Sequence, residues 1–392
     1  MTAPAELMAG VWADLTGQEP TVETLANAAH AAAARLAGVE GISGMTHAWL
    51  ITGPPGSGRS NAARAFAAAL ECQNEGCGEC NACRTSLSGT HPDVTLVRTE
   101  QLSLRVDEIR ELVLKSAMSP VGARWQVLVV EDADRLTEQA ADALLKSLEE
   151  PAARTVWLLC APTVEDVVPT IRSRCRLLVL RTPSTSAVAS LLERRGVERS
   201  MALFAARASQ GHIGRARALA LKEEVRDRRS EVLSIPSQVG TLSGCVHAAA
   251  ALVERAAEEA KAATTELDTH ERTELENALG VGGKGAKPRS LQAALKDLDD
   301  QQKVRAKRLQ RDALDRALLD LMSYYRDVLA VALNTGAELV NLELRPDIAR
   351  AAASTPPEAV LAKVDAILAC REAIAANVAP LLAVEAMTIN LR

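Results

Sequence analysis

A glycine-rich turn carries the residues best suited to bind phosphate. The sequence GPPGSGRS at positions 53–60 follows an apolar run and precedes an alanine-rich segment. In such a turn the backbone N–H groups point inward and meet phosphate at the positive end of the following helix. The pattern contains a Lys that reaches the terminal phosphates and a Ser or Thr that holds magnesium. The predicted nucleotide-contacting residues are Gly53, Gly56, Gly58, Arg59 and Ser60.

One residue departs from this pattern, because Arg59 stands where Lys is required. A guanidinium is planar and bulkier than an ammonium, so it could fill the space that phosphates would take. One interpretation is weak nucleotide binding through Arg59. The other, which we favour, is a loop retained for its turn alone.

Two acidic residues, Glu131 and Asp132, end the apolar run that begins at 125. In nucleotide hydrolases an Asp at such a strand end orients magnesium-bound water, and a following Glu activates the attacking water. Here the order is reversed. A carboxylate that is one methylene shorter lies about 1 Å or more from the required position, which is enough to lose much of the rate. Both motifs therefore predict an impaired nucleotide site.

Four cysteines form a tight cluster at Cys72, Cys77, Cys80 and Cys83. Four thiolates at this spacing suit tetrahedral zinc and leave no open position for catalysis, so the predicted role of the metal is structural. Reactive thiols or a redox pair are the competing interpretation, which we favour less.

Strands and helices alternate around these residues. Apolar runs separated by helical segments predict a parallel sheet with helices on both faces, an α/β domain that we place at 1–181. The predicted strands lie at 49–52, 94–100, 125–136, 155–163 and 175–180.

The remainder of the chain is predicted to be helical. We expect a small helical lid domain at 182–240, with a linker at 235–244, and an all-α domain at 241–392. A charged stretch at 254–311 predicts a solvated helical hairpin, with a mobile loop at 280–289.

Charge and hydropathy exclude some classes of protein. The formal net charge is −5, whereas a protein that wraps nucleic acid by itself usually has a basic field. We see no apolar run long enough to span a bilayer and no secretory signal, so we expect a cytoplasmic protein without a membrane partner.

Several motifs together resemble the clamp-loader branch of the AAA+ superfamily, which serves bacterial DNA polymerase III. The resemblance is close over 11–235 and holds in outline over 311–392, but it does not account for the charged hairpin. The motifs are GPPGSGRS, the four-cysteine module, EDADRLTEQAADALLKSLEEP and TIRSRC, with VWADLTGQEPTVETL at the start and NVAPLLAVEAMTINLR at the end.

The resemblance implies a ring-like pentamer that is joined through C-terminal collar domains. Motor subunits bind and hydrolyse ATP at their interfaces, and each site receives an arginine finger from the neighbour's Ser-Arg-Cys motif, which is Arg174 here. The departures at Arg59 and at Glu131-Asp132 indicate a stator subunit without ATPase activity. The lid arginine, which acts as a sensor in that family, is also displaced, since Gly214 takes its place and Arg215 comes one residue later.

The predicted function is therefore that of a stator that supports ATP-driven loading of a sliding clamp onto primed DNA. Its expected partners are gamma/tau-type and delta-type subunits, the clamp and the DNA. DNA polymerase activity would belong to the complex. One alternative is an ATP-hydrolysing gamma/tau-type motor subunit that tolerates Arg59. A less favoured alternative is a P-loop kinase with a structural zinc.

Overall fold

The computed structural model describes residues 8–39, 41–99, 103–122, 124–278 and 289–392. The loop predicted at 280–289 thus lies, except for its last residue, outside the described residues. The chain divides into two compact units, Met1–Leu221 and Lys222–Arg392. The predicted domain limits at 181 and 240 stay predictions.

A five-stranded parallel sheet forms the centre of the first unit, as predicted. Its order is β2-β3-β4-β1-β5, so the first strand lies between the fourth and the fifth. The strands are β1 (Ala48–Thr52), β2 (Val94–Val97), β3 (Gln126–Val130), β4 (Thr155–Ala161) and β5 (Arg176–Val179).

Nine α-helices surround the sheet or follow it within the described part of the first unit. They are α1 (Glu19–Leu36), α2 (Arg59–Glu71), α3 (Asn81–Ser88), α4 (Val106–Ser116), α5 (Glu138–Glu149), α6 (Pro169–Arg172), α7 (Thr185–Arg194), α8 (Arg199–Ser209) and α9 (Ile213–Leu221).

Both faces of the sheet are covered, which explains why its central strands are apolar without alternation. On one face Trp49 and Ile51 pack with the buried alanines of α1 and α2. On the other face Leu50 packs with Ile109 of α4 and Leu144 of α5. Successive strand residues point to opposite faces, so each face receives its own apolar set. The predicted α/β class is confirmed.

The second unit is helical throughout its described elements, apart from short turns. Its helices are α10 (Glu223–Gln238), α11 (Leu242–Ala278), α12 (Arg289–Ala332), α13 (Arg345–Ser354), α14 (Pro357–Ala375) and α15 (Pro380–Asn390). Leu318 of α12 and Ile367 of α14 lie in its core. No helix in the described ranges is long and apolar enough to cross a membrane.

The predicted linker at 235–244 is wrong. Helix α10 continues to Gln238 with Pro236 inside it, and α11 begins at Leu242. Ile235 and Val239 are buried in the helical core. Their burial holds the last turn of α10 even though Pro236 cannot donate a helical hydrogen bond.

The charged stretch at 254–311 lies on the adjoining parts of α11 and α12, which pack against each other. Acidic residues predominate in 254–278 and basic residues in 289–311. Ion pairs join the two helices: Arg272 Nη1 lies 3.0 Å from Asp299, and the buried Arg305 has Nη2 2.7 Å from Asp268. The two helices therefore neutralise each other's charge.

Candidate functional site

The glycine-rich turn lies where the sequence predicts it, between β1 and the first residue of α2. Gly58 is the N-cap of α2 with φ +98°, a left-handed conformation that suits glycine. Gly56 has φ +81°, and a Cβ there would lie 2.1 Å from Cγ of His212. The backbone thus has the turn of a phosphate-binding loop, but a ring from another segment lies against it.

The Arg59 side chain turns back onto its own loop. Its Nη1 donates a hydrogen bond to the carbonyl oxygen of Gly53, the first residue of the turn. Burial lowers the pKa of Arg59, and the nearby carboxylates of Asp134 and Asp132 oppose that shift. Held by this hydrogen bond, the Arg59 guanidinium occupies part of the glycine-rich turn.

Residues at the start of α9 also contact the turn. The Ile213 N–H donates to the Gly56 carbonyl at 3.2 Å, and His212 Nδ1 accepts from the Arg215 N–H at 3.2 Å. Sequence reasoning had singled out Arg215 and missed His212. No local pattern marks His212, because its contact with Gly56 spans more than 150 residues of chain.

Glu131 at the end of β3 is paired within the chain. Arg64 on α2 donates to Glu131 Oε1 from Nε at 3.0 Å and from Nη2 at 2.7 Å. The Glu131 side chain is only 7% exposed, so the pair is shielded from solvent on that side. The neighbouring Asp132 precedes a short 3-10 turn at Ala133–Arg135. The carboxylate that would face magnesium thus already has a cationic partner, Arg64, which the sequence analysis missed.

These contacts bear on whether the loop fits a nucleotide. The Gly53 and Gly56 carbonyls accept hydrogen bonds from Arg59 and Ile213, and Glu131 is balanced by Arg64. Ser57 Oγ is buried and has no hydrogen-bond partner in the described parts of the chain. The two carbonyls and Glu131 are thus already engaged within the chain, and the arrangement fits a bound nucleotide poorly.

Arg174 lies on the turn between α6 and β5. Its Nε donates to Glu149 Oε1 at 2.7 Å, and its Nη2 also contacts that oxygen. Its Nη1 donates to the Thr170 carbonyl at 2.8 Å and to Ser173 Oγ at 3.2 Å. None of its hydrogen bonds within the described residues reaches the loop at 53–60. Arg174 is therefore separate from its own chain's nucleotide loop.

The four cysteines converge as predicted, at the end of α2 and the start of α3. Their sulfur atoms all lie within 4.8 Å of one another. The Cys72 sulfur is 3.6 Å from that of Cys77 and 3.7 Å from that of Cys80. A tetrahedral zinc with Zn–S bonds of about 2.3 Å requires sulfurs roughly 3.8 Å apart. The cluster therefore fits one zinc ion.

Backbone amides support the thiolate form of these cysteines. The Asn74 N–H donates to Cys72 Sγ at 3.3 Å, and the Gly78 N–H donates to Cys83 Sγ at 3.4 Å. Hydrogen bonds of this kind stabilise the charged ligand and orient it toward a metal. With four protein ligands, zinc would have no position for a substrate, so its contribution would be to folding.

The N-terminal segment 8–18 connects the cysteine module with the nucleotide loop. The Val11 N–H donates to the Gly76 carbonyl at 3.0 Å. At its other end, Gln18 Nε2 donates to the Ser57 carbonyl at 3.4 Å and to the Arg181 carbonyl at 2.6 Å. The cysteine module therefore supports the segment that holds the loop beside the end of β5.

A second group of ligand-type side chains, Glu71, His91 and Asp93, lies beside the module. Burial raises the pKa of Glu71 to about 8, and the Asp93 charge adds to the shift. Asp93 accepts the N–H groups of Val121 at 2.6 Å and Gly122 at 2.7 Å. His91 Nδ1 accepts from the Asp93 N–H at 3.2 Å, so that lone pair is not available to a metal. We interpret this group as a structural brace.

Comparison with known proteins finds relatives of part of the first unit. Residues 36–184 match a family model described as DNA polymerase III, delta subunit. This segment is similar to the DNA polymerase III subunits that the family model describes. The predicted family is thereby confirmed for the part of the chain that carries the loop, the cysteines and Arg174.

Individual DNA polymerase III subunits agree with the family match. DNA polymerase III subunit delta' of Pseudomonas aeruginosa is 39% identical over 155 residues, which is 38% of this chain and 47% of that protein. Subunit delta' of Escherichia coli is 38% identical over 180 residues, covering 44% of this chain and 54% of that protein. Subunit tau of Bacillus subtilis is 31% identical over 179 residues, which is 45% of this chain and 30% of that protein. The chain thus spans about half the length of these two delta' proteins and 30% of the length of the tau protein.

A solved structure of a DNA polymerase III gamma subunit-related protein from Thermotoga maritima is also similar. It covers 74% of this chain and 99% of its own, at 19% identity and with a TM-score of 0.32. A TM-score this low supports no conclusion about function.

Proposed function

We propose that this chain is a delta-prime-type stator of a clamp loader, which supports ATP-driven loading of the sliding clamp onto primed DNA. Arg174 would act as an arginine finger in the ATP site of a neighbouring subunit. The observation that carries the proposal is the hydrogen bond from Arg59 to Gly53, which engages the nucleotide loop from within. ATP would then be bound mainly by gamma/tau-type neighbours, in a cytoplasmic complex that also contains a delta-type subunit.

The main alternative is a gamma/tau-type motor subunit. It is favoured by similarity to named motor-type proteins, including a gamma/tau subunit of Mycobacterium tuberculosis that is 33% identical over 163 residues. It requires Arg59 to leave its contact with Gly53 and Glu131 to leave Arg64. The P-loop kinase alternative finds no supporting observation in the described residues.

The isolated chain is expected not to bind or hydrolyse ATP. The Arg59 contact takes part of the loop, and the Arg64–Glu131 pair removes a magnesium ligand. Titration with a fluorescent ATP analogue, alongside a phosphate-release assay, measures both. The variant Arg59→Lys should still fail to hydrolyse ATP because Glu131 remains paired. Saturable binding with turnover that Asp132→Ala abolishes would instead indicate a motor subunit.

The second unit offers apolar surface for assembly with partners. Helices α14 and α15 bury one side in the helical core but leave large apolar side chains exposed. Exposed apolar surface of this kind is typical of protein–protein interaction sites. These side chains are Leu361, Leu368, Leu381, Leu382 and Ile389. They support the proposal that the C-terminal helices form a collar with other subunits.

Introducing a charge into this surface is expected to weaken assembly. Leu382 is 63% exposed, so Leu382→Glu should leave the fold intact. Burying an unpaired charge at an interface should weaken association by about tenfold or more. Leu114 on α4 is 67% exposed in the other unit, and Leu114→Glu is the matched control. Analytical ultracentrifugation with the partner subunits measures both, and equal affinities would contradict a collar at α15.

A further inference from the structure

We propose that Glu149 is the positioning residue of Arg174. Its carboxylate would hold the guanidinium in one orientation before a neighbouring subunit is bound. The inference rests on the proposed finger role of Arg174 and adds a residue that neither the sequence motifs nor the family resemblance assigns.

The hydrogen bonds of Arg174 define that orientation. An arginine side chain has five N–H donors in a planar fork. Glu149 Oε1 receives bonds from Nε and Nη2, while the Thr170 carbonyl and Ser173 Oγ receive bonds from Nη1. One Nη2 N–H remains without an acceptor among the described residues. The side chain is 34% exposed, so this edge of the fork is the part that could meet a ligand from outside.

Both ends of this contact are anchored in the core. Glu149 is the last residue of α5, and its neighbour Leu148 is buried. Arg174 follows α6, whose Ile171 is buried as well. Since Leu148 and Ile171 belong to the same core cluster, the carboxylate and the guanidinium are held relative to one scaffold. Glu149 thus joins the finger to the helix that follows the Glu131 strand.

A fixed guanidinium matters because a finger acts on a phosphoryl group that belongs to another chain. A free arginine side chain samples many rotamers, and it loses that freedom when it binds phosphate. If the orientation is set beforehand, less freedom is lost in the transition state, and the rate rises. Glu149 is not expected to touch the nucleotide, so its effect should pass entirely through Arg174.

The pair is also suited to a clean test. Glu149 is 48% exposed, and ion pairs on the surface contribute little to stability. Removing it should therefore not unfold the chain. Glu150, the next residue, is exposed and makes no described ion pair, so Glu150→Ala is the matched control.

The experiment measures steady-state ATPase activity of the assembled complex with full-length variants. Glu149→Ala should lower kcat by about tenfold at unchanged KM, because orientation is lost while ATP binding is not. Glu149→Gln, which keeps an acceptor oxygen, should retain most of the rate. The double variant with Arg174→Ala should be no slower than Arg174→Ala alone.

The outcomes separate this inference from the function on which it rests. If Arg174→Ala has no effect, the finger role itself fails. If Arg174→Ala is slow but Glu149→Ala matches Glu150→Ala, the finger acts without Glu149 and the positioning role is overturned. A double variant slower than Arg174→Ala alone would show that Glu149 acts by another route and would also overturn it. Equal melting temperatures for the isolated variants exclude an effect through folding.

Discussion

Replacing Arg174 with Ala is expected to lower the ATPase rate of the assembled complex by about a thousandfold or more. The reason is electrostatic: a guanidinium that meets the transferring phosphoryl group stabilises the charge that develops in the transition state. Because a partly exposed ion pair contributes little to folding, the isolated variant should melt like the unaltered chain. Steady-state phosphate release by the reconstituted complex measures the effect.

Two further variants sharpen this test. Arg174→Lys keeps a positive charge but loses the planar fork, so most of the rate should remain lost. Arg172 is half-buried at the end of α6, two residues before Arg174, and Arg172→Ala controls for removal of a nearby charge. Unchanged hydrolysis with Arg174→Ala, in a complex that still assembles, would rule out the finger.

Removing a ligand from the cysteine cluster is expected to destabilise the first unit strongly. Structural zinc binds zinc-finger peptides with roughly 10–16 kcal/mol at neutral pH, and that energy contributes to folding. The buried Cys83 is the sharpest choice, and Cys83→Ser should reduce metal content from one zinc per chain to none. Elemental analysis and thermal unfolding measure the two effects.

The control for this variant is Cys245→Ser, which alters a buried cysteine of the second unit. It should leave the metal content at one per chain. Freshly purified protein without metal would contradict the zinc proposal. Because Val11 is hydrogen-bonded to Gly76, metal loss should also raise amide exchange in segment 8–18 and then at the nucleotide loop.

The sheet could be predicted from sequence because each strand is an apolar run with its own boundaries. Gln126–Val130, for example, is buried on both faces and ends at the acidic pair. The loop and the cysteine cluster could be predicted for a similar reason, since their residues are close along the chain. Local sequence sufficed wherever the contact was local.

The contacts that engage the loop could not be predicted in this way. Arg64 and Glu131 are 67 residues apart, and nothing near either residue marks the pairing of α2 with the end of β3. The contact of His212 with Gly56 depends on where α9 lies against the loop. At 235–244 a local signal was present but did not decide the structure. Pro236 indicates a break in the helix, and tertiary burial of Ile235 outweighs that signal.

The charged parts of α11 and α12, 254–278 and 289–311, are here called the charged arm, and their opposite charges determine how it responds to salt. Its helices are joined by exposed ion pairs such as Arg272–Asp299, as well as by the buried Arg305. Exposed pairs are screened by salt, whereas apolar packing is not. Raising the ionic strength should therefore favour local opening of the arm while the core around Leu318 stays closed. The charged arm would then respond to salt independently of the helical core around Leu318.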